Sequence, residues 1–130
     1  MREIKFRGKS ITEDYEGNWL YSSGICYGDD IKLMYCDNDT SETWYYIDKE
    51  TLGQYIGLKD KNDKEIYEGD IVKIDCPTMK MQGKIFYFED GADFRIYDYV
   101  EDIEETLWYL QEEYEVIGNI YDNPELLERS

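Results

Sequence analysis

Short runs of alternating apolar and polar residues, separated by turn signals, dominate this chain. Residues 3–7 place Ile4 and Phe6 on one face of a predicted first strand. Later runs are rich in β-branched and aromatic residues, which favour strands. These predicted strands are residues 19–21, 31–35, 44–47, 54–58, 65–67, 71–74, 84–88, 94–97 and 115–121. The pattern predicts a mainly β fold, either a small barrel or a sandwich.

Three segments need a more specific interpretation. Gly91 follows the run 84–88, and its missing side chain suits a positive φ in a tight turn. Residues 101–114 fit either a short helix or irregular turn, which we favour, or a strand around residues 106–110. Asn123, followed by Pro124 and an acid, predicts the start of a short C-terminal helix.

Length and cysteine content fit a small cytoplasmic protein. The 130 residues suit a single domain, or a 1–50 β subdomain followed by a 51–130 barrel. Cys26, Cys36 and Cys76 are odd in number and widely spaced, so we expect reduced thiols. No apolar run approaches the roughly 20 residues that span a bilayer, and no signal peptide is evident.

The charge disfavours nucleic-acid and membrane partners. The formal net charge is −17, with 14 basic and 31 acidic side chains. Nucleic-acid binding relies on Lys and Arg to neutralise phosphates, and anionic membranes repel an acidic surface. The one basic corner is formed by Arg2, Lys5, Arg7 and Lys9.

The residues that most enzymes need are missing from the sequence. The chain has no histidine, which excludes Ser-His-Asp and Cys-His catalysis and the usual zinc sites. No phosphate-binding glycine loop occurs. Asp60 to Lys64 begins like a calcium loop, but Lys64 and Glu65 stand where a ligand and a glycine belong, so a turn is preferred. We therefore expect a protein without catalytic activity or cofactor.

An acidic tract is the most distinctive feature of the chain. Between Glu89 and Glu115 there are eleven acids and a single base, Arg95. Solvated surface is the simpler interpretation, and a binding surface is the alternative. Carboxylates spaced like phosphates would make the protein a DNA mimic that inhibits a nucleic-acid-binding enzyme. The candidate binding residues are Glu101, Asp102, Glu104, Glu105, Glu112 and Glu113.

Aromatic residues make up 16% of the chain, and 14 of them are tyrosines. Packing inside a β fold is the simpler explanation. Tyr and Trp are also enriched at protein interfaces, so the same residues permit a partner-binding face or a homo-oligomer.

Three segments resemble the YopX family of phage and prophage proteins: residues 4–8, 54–74 and 115–127. The middle segment contains QYIGLKDKNDKEIYEGDIV and the last EVIGNIYDNPELL, whereas residues 25–50 and 76–113 match poorly. The family usually has Asn-Gly at the central hairpin, where this chain has Asn62-Asp63. Asp tolerates the left-handed conformation less well than Gly, which leaves the turn type open.

The resemblance implies a β-rich fold with an SH3-like barrel, in an accessory protein of a phage of low-GC Gram-positive bacteria that acts in the host cytoplasm. It supplies no catalytic residue. We expect one YopX-like domain over residues 1–130, consisting of a small SH3-like barrel with additional N-terminal strands and a short C-terminal helix. The expected function is that of a non-catalytic protein–protein interaction module, and the alternative is the acidic DNA mimic.

Overall fold

The fold is mainly β, as the sequence pattern predicted. The computed structural model describes residues 3–12, 16–26, 28–37, 41–77, 79–107 and 113–128. The strands in these ranges are β1 (Phe6–Lys9), β2 (Trp19–Ser22), β3 (Ile25–Cys26), β4 (Ile31–Asp37), β5 (Ser41–Ile47), β6 (Gly53–Lys59), β7 (Glu65–Tyr67), β8 (Asp70–Cys76), β9 (Met79–Phe88), β10 (Asp93–Asp98), β11 (Ile103–Thr106) and β12 (Tyr114–Asn119). The chain divides into two compact units, residues 1–55 and 56–130.

The first unit combines a hairpin with a small sheet. Strand β1 pairs antiparallel with β2 and with the first residues of β6. Strands β3, β4 and β5 form a three-stranded antiparallel sheet. Burial of apolar side chains stabilises this unit. Its buried core consists of Leu20, Ile31, Leu33 and Ile47.

The second unit is a curled sheet around a larger core. Five antiparallel strands follow the order β11-β10-β9-β8-β12 and curl into a half-barrel. The later residues of β6 lie beside β7. The buried core contains Ile56, Ile66, Val72, Ile74, Cys76, Met81, Ile85, Ile96, Leu107 and Tyr114.

Strand β8 shows why this sequence forms a sheet. Val72, Ile74 and Cys76 are buried, whereas Lys73 and Asp75 between them are exposed. Side chains of a strand point alternately to opposite faces, so this pattern turns one face of the sheet to the core.

The turn that introduces β8 depends on a glycine. Gly69 has a φ of 89°, which L-residues with side chains rarely adopt. Its N–H donates to the carbonyl of Ile85, and its own carbonyl accepts from the N–H of Ile120. The turn between β7 and β8 is thereby joined both to β9 and to the end of β12.

Two local predictions were wrong. The first strand begins at Phe6 and not at residue 3, and the side chain of Ile4 is 58% exposed. In the β9–β10 loop the positive φ of 52° belongs to Ala92 and not to Gly91. That loop spans four residues and is closed by a hydrogen bond from the N–H of Ala92 to the carbonyl of Glu89.

The short helix or irregular turn that we favoured for residues 101–114 is wrong for residues 103–106. These residues form β11, which pairs antiparallel with β10 in a register that places Glu105 opposite Ile96. Sheet hydrogen bonding overrides the helical spacing of the apolar residues, because β10 offers partners to the backbone. The predicted helical position Leu110 lies outside the described residues.

A single 3-10 turn, Pro124–Leu127, takes the place of the predicted C-terminal helix. Asn123 makes no capping hydrogen bond with its side chain, which instead accepts from the N–H of Asn119 at 3.3 Å. The carbonyl of Leu126 accepts from the side chain of Gln82 at 2.7 Å. Within the described ranges, no helix is long and apolar enough to cross a membrane.

The central hairpin provides a test of local strain. Asp63 stands where the family usually has Gly, and its φ is 65°. We predict that Asp63→Gly raises the free energy of unfolding by roughly 0.5–1 kcal/mol, because Gly adopts this conformation without steric cost. The exposed ion pair between Asp63 and Lys59, at 3.7 Å, offsets little of this gain.

Urea unfolding of the purified variant measures the effect. The matched control is Asn62→Gly, since Asn62 does not have a positive φ and should lose stability when replaced by the more flexible residue. A destabilised Asp63→Gly protein would contradict the prediction.

Candidate functional site

The described candidate acids of the tract lie near the two end strands of the five-stranded sheet, β11 and β12. Glu101 and Asp102 form the turn between β10 and β11, and Glu104 and Glu105 lie on β11, which ends the sheet order. Glu113 directly precedes β12, at the other end of that order. Glu112 lies outside the described residues. The five described acids therefore do not form one row.

Arg95 organises the acids on the outer face of the sheet, away from the core. Its guanidinium donates to Asp93 at 2.9 Å and to Glu104 at 2.6 Å. It also stacks over the ring of Phe88, 3.9 Å from the ring centre. The hydrogen bonds to Asp93 and then to Glu104 raise the pKa of Arg95. Glu104 is thus part of an ion-pair network and does not face solvent alone.

Asp102 is held in a similar way by a tyrosine. It has a φ of 52° and accepts a short hydrogen bond from the hydroxyl of Tyr97. This hydrogen bond, followed by desolvation, raises the pKa of Tyr97. The ring of Tyr97 meets Tyr99 edge to face, with 4.7 Å between the ring centres.

Glu105 points to the face opposite to Glu104, because successive side chains alternate across a strand. It lies opposite Ile96, which is fully buried. Burial raises the pKa of Tyr114 to about 12, and the negative charge of Glu105 adds to this shift. Glu105 therefore stands on the core side of the sheet, near its open edge, and is exposed.

A groove opens on this same side. It has a volume of about 410 Å³, which lies in the lower part of the range for ligand pockets. Strand β6 contributes one wall, and β10 with the end of β11 contributes the other. The lining residues are Ile56, Leu58, Asp93, Phe94, Thr106 and Leu107.

The groove is apolar inside and acidic at its border. Phe94 and Leu58 pack against the core and remain partly accessible. Asp93 lines the groove, but its carboxylate is bound by Arg95. Glu105 is two positions from Leu107, on the same face of the chain. This arrangement can hold an apolar group with a cationic neighbour.

The buried carboxylate of Asp60 binds the strand at the other end of the sheet, β12. Asp60 is 6% exposed and accepts hydrogen bonds at one oxygen from the N–H groups of Asn62 and Lys64, at 2.8 and 2.9 Å. Its second oxygen accepts from the N–H of Val116 on β12 at 2.9 Å. The N–H of Lys61 also donates to the carbonyl of Tyr114. The turn between β6 and β7 thus covers the outer edge of β12.

Two further buried aspartates support turns in the same way. Asp70 is 2% exposed and accepts from the N–H of Tyr67 at 2.8 Å. Asp98 is fully buried and accepts from the N–H groups of Val100 and Glu101, and from that of Gln82 on β9. In the described part of the chain no group of three potential metal ligands occurs.

Of the basic corner of the sequence, Arg2 lies outside the described residues, and the other three cations make contacts inside the first unit. Arg7 is 5% exposed and stacks over Trp19 at 4.6 Å, and the ammonium of Lys9 lies 5.5 Å from the same ring. Lys5 forms an ion pair with Glu3 at 3.4 Å. These cations stabilise their own unit through cation–π and ionic contacts.

Sequence reasoning missed the groove and the buried carboxylates. The groove forms because β6 faces β10, and no pattern along the chain predicts that these two strands lie opposite each other. A signal for Asp60 was present, since Asp followed by a polar residue and Asn is typical of turns in which the Asp side chain accepts from the backbone. Its third hydrogen bond, to Val116, spans 56 positions and leaves no local trace.

The fold and the site define a mainly β protein with an acid-bordered apolar groove, and comparison places it in a family. The profile of the family described as YopX protein matches residues 5–128, and the chain belongs to this family. Among solved structures, it is similar to the crystal structure of protein EF1440 from Enterococcus faecalis, with 27% identity and a TM-score of 0.56. The match covers 98% of this chain and 99% of the other. No functionally curated protein matches the chain.

The Asp60 carboxylate provides a test of how the second unit is held together. We predict that Asp60→Ala lowers the free energy of unfolding by about 3 kcal/mol, since the substitution leaves backbone donors around a buried site without their ionised acceptor. Equilibrium urea unfolding measures the loss. The matched control is Asp75→Ala on the exposed face of β8, which should stay within about 0.5 kcal/mol of the wild type.

The pH dependence of this stability has a defined sign. Burial raises the pKa of Asp60, but its backbone hydrogen bonds outweigh burial, and the pKa lies below the usual value. The folded protein thus keeps this carboxylate ionised at a pH where the unfolded chain protonates it. The contribution is complete above the unfolded pKa of about 4 and is lost as the pH falls through the lower folded value. Asp60→Asn should therefore flatten the loss of stability below pH of about 4, and an unchanged acid profile would contradict this role.

Proposed function

We propose that this protein is a non-catalytic protein–protein interaction module whose partner binds in the groove between β6 and the β10–β11 hairpin. The observation that carries the proposal is the groove itself, which has apolar walls and remains accessible. Interface anchors are usually large apolar side chains that enter such pockets.

The chemistry of the acids supports a non-catalytic role. Asp60, Asp70 and Asp98 are the buried carboxylates of the described residues, and each accepts hydrogen bonds from backbone amides of turns. A catalytic acid or base needs a site in which its proton can be exchanged with a substrate. These three carboxylates are occupied by the backbone instead.

We propose further that residues 51–130 form an SH3-like barrel within a single YopX-like domain. The support is the curled antiparallel sheet of β8 to β12 with the short hairpin of β6 and β7 before it. Small barrels of this type commonly bind peptides along grooves between their loops and strands. Membership of the YopX family supports an origin in a phage or prophage and a role in the bacterial cytoplasm.

The acidic DNA mimic is the alternative function. The net charge of −17 favours it, because acids presented in rows would attract a basic enzyme. The placement of the acids favours the groove, since Glu104 and Glu105 point to opposite faces and Glu104 is paired with Arg95. A mimic needs its carboxylates on one continuous face.

Self-association is a second possibility for a partner. The outer face of the β4–β5 hairpin carries Trp44 and Tyr46, which are 39% and 42% exposed, and the ammonium of Lys32 lies over Tyr46 at 5.0 Å. Exposed aromatics of this kind are enriched at interfaces. Light scattering at high concentration tests for a homo-oligomer, and a monomer at all concentrations would exclude it.

The decisive experiment is affinity capture from host lysate, with and without phage, comparing the wild type with groove variants. Leu58→Trp should fill the groove and Phe94→Ala should widen it, and we expect each to reduce capture of the same protein at least about tenfold. Lys80→Trp adds the same bulk on the outer face of β9 and should leave capture unchanged. Circular dichroism verifies that all variants fold.

Three results would argue against the proposal. Capture that is equal for wild type and both groove variants would place the partner elsewhere. Capture of a nucleic-acid enzyme that is lost when Glu101, Asp102 and Glu113 are neutralised, but kept in Leu58→Trp, would favour the mimic. Failure to capture any protein in either lysate would contradict the interaction role.

A further inference from the structure

We infer that the occupant of the groove is an extended segment of a partner protein with a large apolar side chain next to a lysine or arginine. This inference rests on the proposed function and specifies the chemistry of the partner. It follows from the walls of the groove, the charges at its border and the charge of the whole chain.

The walls require an apolar anchor. Ile56 and Leu58 on one side and Phe94 and Leu107 on the other present hydrocarbon surface. A volume of about 410 Å³ accommodates one or two large side chains and not a folded domain. Burying such a side chain removes a large apolar surface from water, which makes it the main source of affinity.

The border requires a cation. Glu105 is exposed and lies on the groove side of β11. Burial raises the pKa of Tyr114, a buried member of the core, and the negative charge of Glu105 adds to this shift. A lysine or arginine beside the anchor would be paired with Glu105, whereas an acidic residue would be repelled.

The other acids near the groove leave Glu105 as the available charge. Asp93 and Glu104 are both engaged by Arg95, at 2.9 and 2.6 Å, so their charges are partly neutralised. No ion pair to Glu105 occurs among the described residues. The partner cation is therefore expected to meet Glu105 and not the outer face.

The net charge supports a basic segment over a second copy of this chain. At −17 for 130 residues, two copies repel each other over long distances, whereas a basic segment is attracted. The same charge makes association faster at low salt.

The test uses a displayed library of random peptides, selected on the full-length protein. We expect the enriched peptides to share a large apolar residue with a lysine or arginine beside it. Binding of a synthetic enriched peptide should weaken at least about tenfold in Glu105→Lys and should weaken as the salt concentration rises. Glu125→Lys makes the same charge change on the exposed 3-10 turn and should alter binding by less than about twofold.

The outcomes separate this inference from the proposed function. Enriched peptides that are lost in Leu58→Trp but carry no basic residue, or that bind Glu105→Lys equally well, would overturn the inference and leave the groove as a binding site. Peptides that bind Leu58→Trp and the wild type equally, or the absence of any enrichment, would overturn both.

Discussion

The hydrogen bonds of the Asp60 carboxylate are the constraint on which the second unit depends. One oxygen accepts from two amides of its own turn and the other from the amide of Val116, so a single ionised group fixes the turn and the position of β12 together. Strand β12 has a register shift between Val116 and Gly118 in its pairing with β8. Such irregularities weaken a ladder, and the turn compensates by binding the other edge of β12 at Val116 and Tyr114.

The two end strands of the sheet, β11 and β12, are protected in different ways from pairing with another chain. The edge of a sheet exposes backbone groups that invite pairing with another chain. At β12 the turn around Asp60 covers the edge. At β11, where Glu104 and Glu105 lie, charged side chains discourage uncharged strands from pairing. The acidic edge that keeps most segments away is, for the same electrostatic reason, attractive to a basic one.

The groove and the edge are thus parts of one surface. The curled sheet brings β6 opposite the β10–β11 hairpin, and the apolar side chains between them stay partly accessible. Arg95 ties Asp93 to Glu104 on the outer face, which leaves Glu105 as the charge that faces the groove. In the function that we propose, the apolar anchor of the partner would supply affinity and the charge of Glu105 would supply specificity.

The sequence by itself determined the fold class, most strand positions and the family. In β8 and β9, polar residues alternate with buried ones. This period of two is a local property, so it can be recognised in the sequence alone. The motif at residues 54–74 carried the family resemblance. It also predicted the central hairpin, in which Asp63 adopts the left-handed conformation.

Only the tertiary structure decided which side chains lie on the core side of the sheet and which lie on its outer face. Ile103 and Leu107 have helical spacing, but the backbone of residues 103–106 pairs with β10 and forms a strand. Because side chains alternate along a strand, Glu104 and Glu105 point to opposite faces. The roles of Asp60 and Arg95 depend on partners that are distant along the chain or on a neighbouring strand. Local patterns report the period of a segment, whereas a groove or a buried carboxylate depends on which segments meet, and that is set by packing of the whole unit.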